Sequence, residues 1–199
     1  MEAIRVAFGS SSRTRQFLPA MLFAVGAASP ALAQYTLTTL AAFDGSNGAA
    51  PYCAPTVVGN TLYGTTTIGG GAYGGGTVFS LPITGGGLTT LVNFNGSNGG
   101  GPYCDLTQIG STLYGTTAGG GAYGGGTVFS LPITGGGLTT LVNFNGSNGG
   151  QPNTGLTALG STLYGTTELG TGNDGTVFSV PITGGAPTTL VYLSTIKRT

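Results

Sequence analysis

TLYGTTTIGGGAYGGGTVFSLPI, Thr61 to Ile83, admits two readings, and the choice between them decides the fold. Gly69-x-Gly71-x-x-Gly74 satisfies the glycine spacing of a dinucleotide-binding loop. Such a loop must follow a strand and open a helix whose N-terminus meets the phosphate. Here the glycines lead into TVFSLPI, which alternates apolar residues at period two and carries Pro82 inside it. No Lys stands near and no ribose-binding acid follows. The glycines therefore read as the connector between two strands, with Tyr73 at its tip.

The same stretch returns. Residues 69–100 and 119–150 are identical, and a more divergent third copy comes after them. TLYGTT recurs at Thr61, Thr112 and Thr162, and GTVFS at Gly76, Gly126 and Gly175, a period of about 50 residues. Fixed-period self-similarity is read before anything else, because it sets the architecture. Each unit holds four strand-like runs, exemplified by LTQI, TLYGTT, TVFSLPI and LTTLVNF. Gly59-Asn60, Gly110-Ser111 and Gly160-Ser161 suit a type II′ or I′ hairpin between the first two. Period two puts Phe79, Leu81 and Ile83 on one face, and Leu88, Thr90, Val92 and Phe94 on another. Gly64, Gly115 and Gly165 sit mid-strand, which implies close approach of another backbone, as near a propeller axis. No helical periodicity of useful length appears after the N-terminal segment.

Four antiparallel strands in about 50 residues make one blade of a β-propeller, with a kelch-like period. The expected fold is all-β: three four-stranded blades near residues 54–94, 105–144 and 155–193, after a leading fourth-type strand at 37–43. Closed propellers generally have at least four blades. Three leave open edges, so the expectation is either an open, partial propeller-like arc or self-association through those edges.

The combination LYGTT…GG…GTVFSLPITGG…TTLVNF…GSNG resembles the GloVer tandem repeat of Gloeobacter and Verrucomicrobia. That resemblance implies an exported bacterial repeat protein with a C-terminal sorting or anchoring segment. LVYLSTIKRT has no apolar tail or sortase-like motif, so the chain reads as a short or truncated member, or an inert fragment of a longer array.

Residues 1–33 are set apart from the fold. Arg5, Arg13 and Arg15 precede the apolar run Phe17–Ala28, and Ala31-Leu32-Ala33 offers a cleavage site before Gln34. This is the pattern of a secretory signal peptide, with an uncleaved anchor as the rival. Cleavage gives a mature chain 34–199, secreted or at the cell surface, with no membrane attachment. The mature chain has no His, only four acids (Asp44, Asp105, Glu168, Asp174) and two bases (Lys197, Arg198). Nucleic-acid binding is excluded by the missing basic surface. No cofactor or metal is expected. The Asp44-Gly45-Ser46-Asn47-Gly48 loop offers a hard cation only one carboxylate, so it reads as Asn-Gly turn chemistry, and Gly172–Gly175 reads as a turn too.

Antiparallel order places the two longer loop types on one side: GGGAYGGG, and the inter-unit FNGSNGGGPYC. Function concentrates on long loops held by a rigid scaffold. Tyr73 and Tyr123 project from the first type, Tyr52 and Tyr103 from the second, as candidate contacts for a glycan or a surface protein. The alternative is that they pack down over the blade ends. Cys53 and Cys104 occupy equivalent positions in neighbouring units; they bridge only if that loop lies near the axis, and otherwise stay free. An enzyme is not expected, since acid–base and nucleophilic catalysis lack their usual groups. The remaining enzymatic reading, a weak carbohydrate-active enzyme, rests on Asp44 and Asp105.

Overall fold

The computed structural model describes residues 36–171 and 174–193. The expected signal segment, residues 1–33, and part of the expected Gly172–Gly175 turn lie outside the described residues. The described residues from Thr38 onward form one compact unit.

The unit is all-β. Among the described residues, twelve strands form three four-stranded antiparallel meanders. Blade 1 is β1 (Thr56–Val58), β2 (Thr61–Thr66), β3 (Thr77–Pro82) and β4 (Thr89–Asn93). Blade 2 is β5 (Thr107–Ile109), β6 (Thr112–Thr117), β7 (Thr127–Pro132) and β8 (Thr139–Asn143). Blade 3 is β9 (Thr157–Leu159), β10 (Thr162–Thr167), β11 (Thr176–Pro181) and β12 (Thr188–Tyr192). Threonine, valine and aromatic residues fill these runs, as suits a pleated, half-buried surface. Among the described residues, strand backbones of different blades come close only where β1 approaches β5 and β5 approaches β9. The sheets therefore converge at their first strands and splay towards their fourth, which makes an open, propeller-like arc.

Turns close each blade at defined points. Gly59, Gly110 and Gly160 have φ of 58°, 59° and 59°, and the residues after them do not. A positive φ at the first central position alone selects type II′ over I′. At the far end of β3 the Pro82 carbonyl accepts from Gly85 N–H at 2.9 Å, and Pro132–Gly135 and Pro181–Gly184 repeat the turn. Proline thus sits where its strand stops.

Burial explains the stacking. Tyr63, Val78, Val92 and Phe94 of blade 1 pack against Leu113, Phe129 and Leu131 of blade 2. Tyr114, Val128, Val142 and Phe144 pack in the same way against Leu163, Phe178 and Val180 of blade 3. Phe94 meets Phe129 edge-on at 5.3 Å, and Phe144 meets Phe178 at 5.2 Å. Each interface is also tied by hydroxyls. Thr65 Oγ1 donates to Cys104 C=O at 3.2 Å, Thr116 Oγ1 to Thr154 C=O at 2.9 Å, Thr56 to Leu106 C=O and Thr107 to Leu156 C=O. The recurring threonines are thus inter-blade connectors as well as strand formers.

Three sequence expectations change. First, the mid-strand glycines do not make room for backbone. Gly115 pairs with Phe129 across the ladder, and a Cβ there would come within 2.6 Å of Phe129 Cζ and 3.0 Å of Leu106 Cδ2. Gly64 and Gly165 are filled in the same way by Phe79 and Phe178. The glycine makes room for a ring.

Second, the fourth strand does not keep one face. Val78 pairs with Val92 but Phe79 pairs with Thr90, so Leu91 is the extra residue of a β-bulge. Thr90 therefore shares a face with Phe79, while Leu91 and Val92 both turn towards blade 2. Ile83, beyond the end of β3, is exposed on blade 1, while its equivalents Ile133 and Ile182 pack with Phe129 and Leu131 and with Phe178 and Val180.

Third, residues 37–43 are not a strand, because no neighbouring strand offers them a ladder. The segment still lies on blade 1. Phe43 meets Phe79 edge-on at 5.1 Å, and Leu40 C=O accepts from Gly86 N–H at 3.3 Å.

Candidate functional site

The long loops gather at one end of the blades. Gly100 pairs with Gly119, Ala49 with Ile68 and Gly150 with Leu169, so each inter-unit loop is bound to the loop between second and third strands. GSNG turns support this end. Asn95 Oδ1 accepts from Asn98 N–H at 3.1 Å, and Asn98 Nδ2 donates to Asn93 C=O at 3.3 Å. Asp44 does the same work: its Oδ1 accepts from Ser46 Oγ, Ser46 N–H and Asn47 N–H at 2.7–3.0 Å. Those bonds, the Ser46 hydroxyl foremost, hold its carboxyl below the ordinary carboxylate value. The Asx-turn reading of these loops stands on this geometry.

One position in the inter-unit loop is conformationally unusual. Ala50, Gly101 and Gln151 are equivalent, and all three have positive φ (55°, 59° and 52°). Both ends are clamped in blades 2 and 3. Gly101 N–H donates to Gly75 C=O and Gln151 N–H to Gly125 C=O, while their carbonyls accept from Ala118 and Glu168 N–H. Non-glycine residues persist in this region only where the surroundings over-determine them. The left-handed residue turns the chain into Pro51, Pro102 or Pro152, and the residue after each proline reaches the loop face.

Those residues are Tyr52, Tyr103 and Asn153. Tyr52 and Tyr103 are exposed and stack at 6.0 Å between ring centroids, with 24° between planes. They line an open cleft of about 590 Å³ with Ala118, Gln151 and Asn153. Asn153 Nδ2 donates to Glu168 Oε2 at 2.7 Å, which fixes the amide beside the tyrosines. The lining carries no formal charge. It offers aromatic faces and amides, a surface for neutral, hydroxyl-rich ligands.

The four tyrosines read from sequence thus divide. Tyr52 and Tyr103 are brought together, while Tyr73 and Tyr123 are exposed at their loop tips and do not line the cleft. Sequence reasoning missed Gln151 and Asn153. The signal was available, since PYC, PYC and PNT align and put Asn153 at the tyrosine position.

The candidate disulfide is not formed; Cys53 and Cys104 are free thiols. Cys104 Sγ accepts from Thr116 N–H at 3.1 Å and donates to Thr116 C=O at 3.2 Å, so it is engaged within its own blade. Burial pushes the Cys104 thiol up to about 11, and burial also raises Cys53. Asp105, on the segment leading into β5, is exposed.

The sequence profile of the Gloeobacter/Verrucomicrobia repeat matches residues 24–198. The chain belongs to that repeat family. No curated protein sequence matches this Gloeobacter/Verrucomicrobia repeat protein. Among solved structures it is similar to TolB from Acinetobacter baumannii, at 18% identity and TM-score 0.51, covering 78% of this chain and 35% of that one. It also matches a chain of the nidogen/laminin complex, at 15% identity and TM-score 0.49, covering 68% of this chain and 45% of that one. The repeat protein spans less than half the length of either solved chain. At such identities the TolB likeness bears on the fold alone, and it agrees with the propeller-like arc.

Proposed function

We propose that this chain is an exported, non-catalytic module that binds neutral glycan strands on its loop face. The observation that carries the reading is the exposed Tyr52–Tyr103 stack beside the amides of Gln151 and Asn153. Pyranose rings present apolar C–H faces to aromatic planes and hydroxyls to amides, and they need no charge from the protein. The three contributing positions are equivalent in successive blades, so the site repeats along the arc as sugars repeat along a strand.

Catalysis is left out of this reading for want of groups. The mature chain has no His, and Asp44 Oδ1 already accepts three hydrogen bonds in its own turn. A paired-carboxylate mechanism needs two acids facing one bond. Absence of glycan cleavage by the parent removes the carbohydrate-active alternative, and cleavage that survives Asp44→Asn with Asp105→Asn removes those two carboxylates as its catalytic groups. Export rests on residues 1–33, and the N-terminus of the product from a bacterial host tests it: Gln34 is expected, and retention of Met1 counts against cleavage.

Binding is tested on immobilised cellulose, xylan and dextran. Tyr52→Ala with Tyr103→Ala is expected to weaken retention at least about tenfold, because it removes both stacking planes. Tyr73→Ala with Tyr123→Ala is expected to stay within about threefold of the parent, as those rings lie outside the cleft. No retention of the parent on any of the three, or equal retention of the Tyr52/Tyr103 variant, ends the proposal.

A further inference from the structure

Blade 3 presents an apolar face made of Leu159, Tyr164, Val177, Leu190, Val191 and Leu193, all exposed or half-buried. In blades 1 and 2 the positions equivalent to Tyr164, Val177, Val191 and Leu193 are buried, and those equivalent to Leu159 and Leu190 are half-buried against the next blade. Val142 is 3% exposed where Val191 is 50%, and Phe144 is 0% where Leu193 is 50%. What covers this kind of face is seen twice within the chain: Leu113, Phe129 and Leu131 of blade 2, and Leu163, Phe178 and Val180 of blade 3.

Blade 1 carries that complementary face, formed by Leu62, Phe79 and Leu81, and it is covered only in part. Phe43 rests on Phe79 as Phe94 rests on Phe129, at 5.1 and 5.3 Å. Leu40 C=O accepts from Gly86 N–H as Leu141 C=O accepts from Gly185 N–H, at 3.3 and 3.2 Å. The segment 38–43 thus takes the place of a preceding blade's fourth strand. Nearer the first strands the cover gives out. Pro55 is exposed and Leu62 half-buried, whereas their equivalents Leu106 and Leu113 are buried.

From these two faces we infer that the chain associates head-to-tail with a second copy of itself, blade 3 of one on blade 1 of the next, and that residues 38–43 act as a displaceable cap on that contact. Leu159, Tyr164 and Val177 would cover the open region at Pro55 and Leu62. The end of β12, with Leu190 and Leu193, would take the place of Leu40 and Phe43. Thr157 would donate to Pro55 C=O as Thr56 donates to Leu106 C=O and Thr107 to Leu156 C=O. The side chains named on the two faces are uncharged, so their contact is expected to depend little on salt. This inference does not depend on the glycan site, which faces the loop end.

Complementary variants test it by sedimentation velocity at tens of micromolar. Leu40→Ser with Phe43→Ser opens the cap. Val177→Asp with Val191→Asp closes the blade 3 face. The fourfold variant, with the cap opened and blade 3 closed, is expected to be monomeric alone and to form a species of twice the mass when mixed with the parent. The uncapped variant alone is expected to assemble, and adding the two blade 3 aspartates is expected to abolish that. Assembly that persists with the aspartates overturns the proposal, as does a mixture that stays monomeric while both components keep their β circular dichroism. Should the fourfold variant not fold, a cross-link replaces it. In a Cys53→Ser background, a Pro55→Cys chain is mixed with a Thr157→Cys chain under mild oxidation. A mixed disulfide dimer is expected, and its absence overturns the contact.

Discussion

Replacing Gly115 with Ala separates a propensity argument from a packing argument. Gly115 does not have positive φ, so alanine is compatible with its backbone. On propensity alone, Gly→Ala at a compatible site stabilises by about 0.4–1 kcal/mol through the unfolded chain. The structure predicts the opposite sign. The added Cβ would stand 2.6 Å from Phe129 Cζ, against about 3.5–4.0 Å for an ordinary carbon contact. Phe129 is fully buried and wedged edge-on against Phe94, so its ring has nowhere to retreat. Overpacking of this kind costs about 1–3 kcal/mol. The net expectation is a loss of about 1–2 kcal/mol, read as a lower urea midpoint. Gly137→Ala is the control, since no atom lies within 4 Å of its Cβ and its φ is ordinary. A double-mutant cycle with Phe129→Leu sharpens the test, because the smaller side chain should recover part of the loss. Unchanged or raised stability of Gly115→Ala, or strict additivity in the cycle, would refute the ring-over-glycine account.

Thr117→Val removes a hydroxyl that donates to Gly119 C=O, accepts from Thr127 N–H and bonds Thr127 Oγ1 at 2.9 Å. Leaving buried partners unpaired should cost about 1–3 kcal/mol in denaturant unfolding, and a neutral result would count against the threonine pair as a structural element. Asp44→Asn should preserve its turn, since Asn95 and Asn145 make the same one. Because the Asp44 carboxyl titrates below its ordinary value when folded, its contribution is present above the unfolded value and lost as pH falls through the folded one. The stability difference between parent and Asp44→Asn should therefore change only in acid, and a difference that is flat with pH argues against the Ser46 contacts. Iodoacetamide at mildly alkaline pH should modify Cys53 well before Cys104, whose thiol is buried and raised to about 11; equal rates measured by mass spectrometry contradict the burial.

The period, the strand runs and the hairpin turns were legible because the copies align and glycine marks each turn. Side-chain direction in the fourth strand was not. Leu88, Thr90, Val92 and Phe94 keep period two on paper, but one bulged residue, Leu91, reverses the count. The mid-strand glycines announced a close approach without saying by what, since Phe129 lies across the ladder at a register that turn lengths alone do not supply. The loop face followed from antiparallel order. Which tyrosines meet on it did not, because that depends on the rotation between blades. Tyr52 and Tyr103 come together where neighbouring blades converge, while Tyr73 and Tyr123 stand at separate loop tips.

Site and scaffold are coupled through that convergence. Tyr52, Tyr103 and Asn153 belong to three different repeats, so the spacing of the cleft is the spacing of the blades. The spacing is set by the Phe94–Phe129 and Phe144–Phe178 contacts and by the threonine-to-carbonyl bonds at each interface. The bonds from Thr65 and Thr116 end on the carbonyls of Cys104 and Thr154, each one residue beyond Tyr103 and Asn153. A substitution that loosens an interface should therefore act on the cleft as well as on stability, even from a buried position. Divergence of the third copy acts differently. Asn153 replaces a tyrosine while the clamp at Gln151 is retained, which changes the chemistry at one end of the cleft and keeps its geometry. A repeat array can thus vary its loop-face chemistry blade by blade, so long as the residues between blades stay as they are.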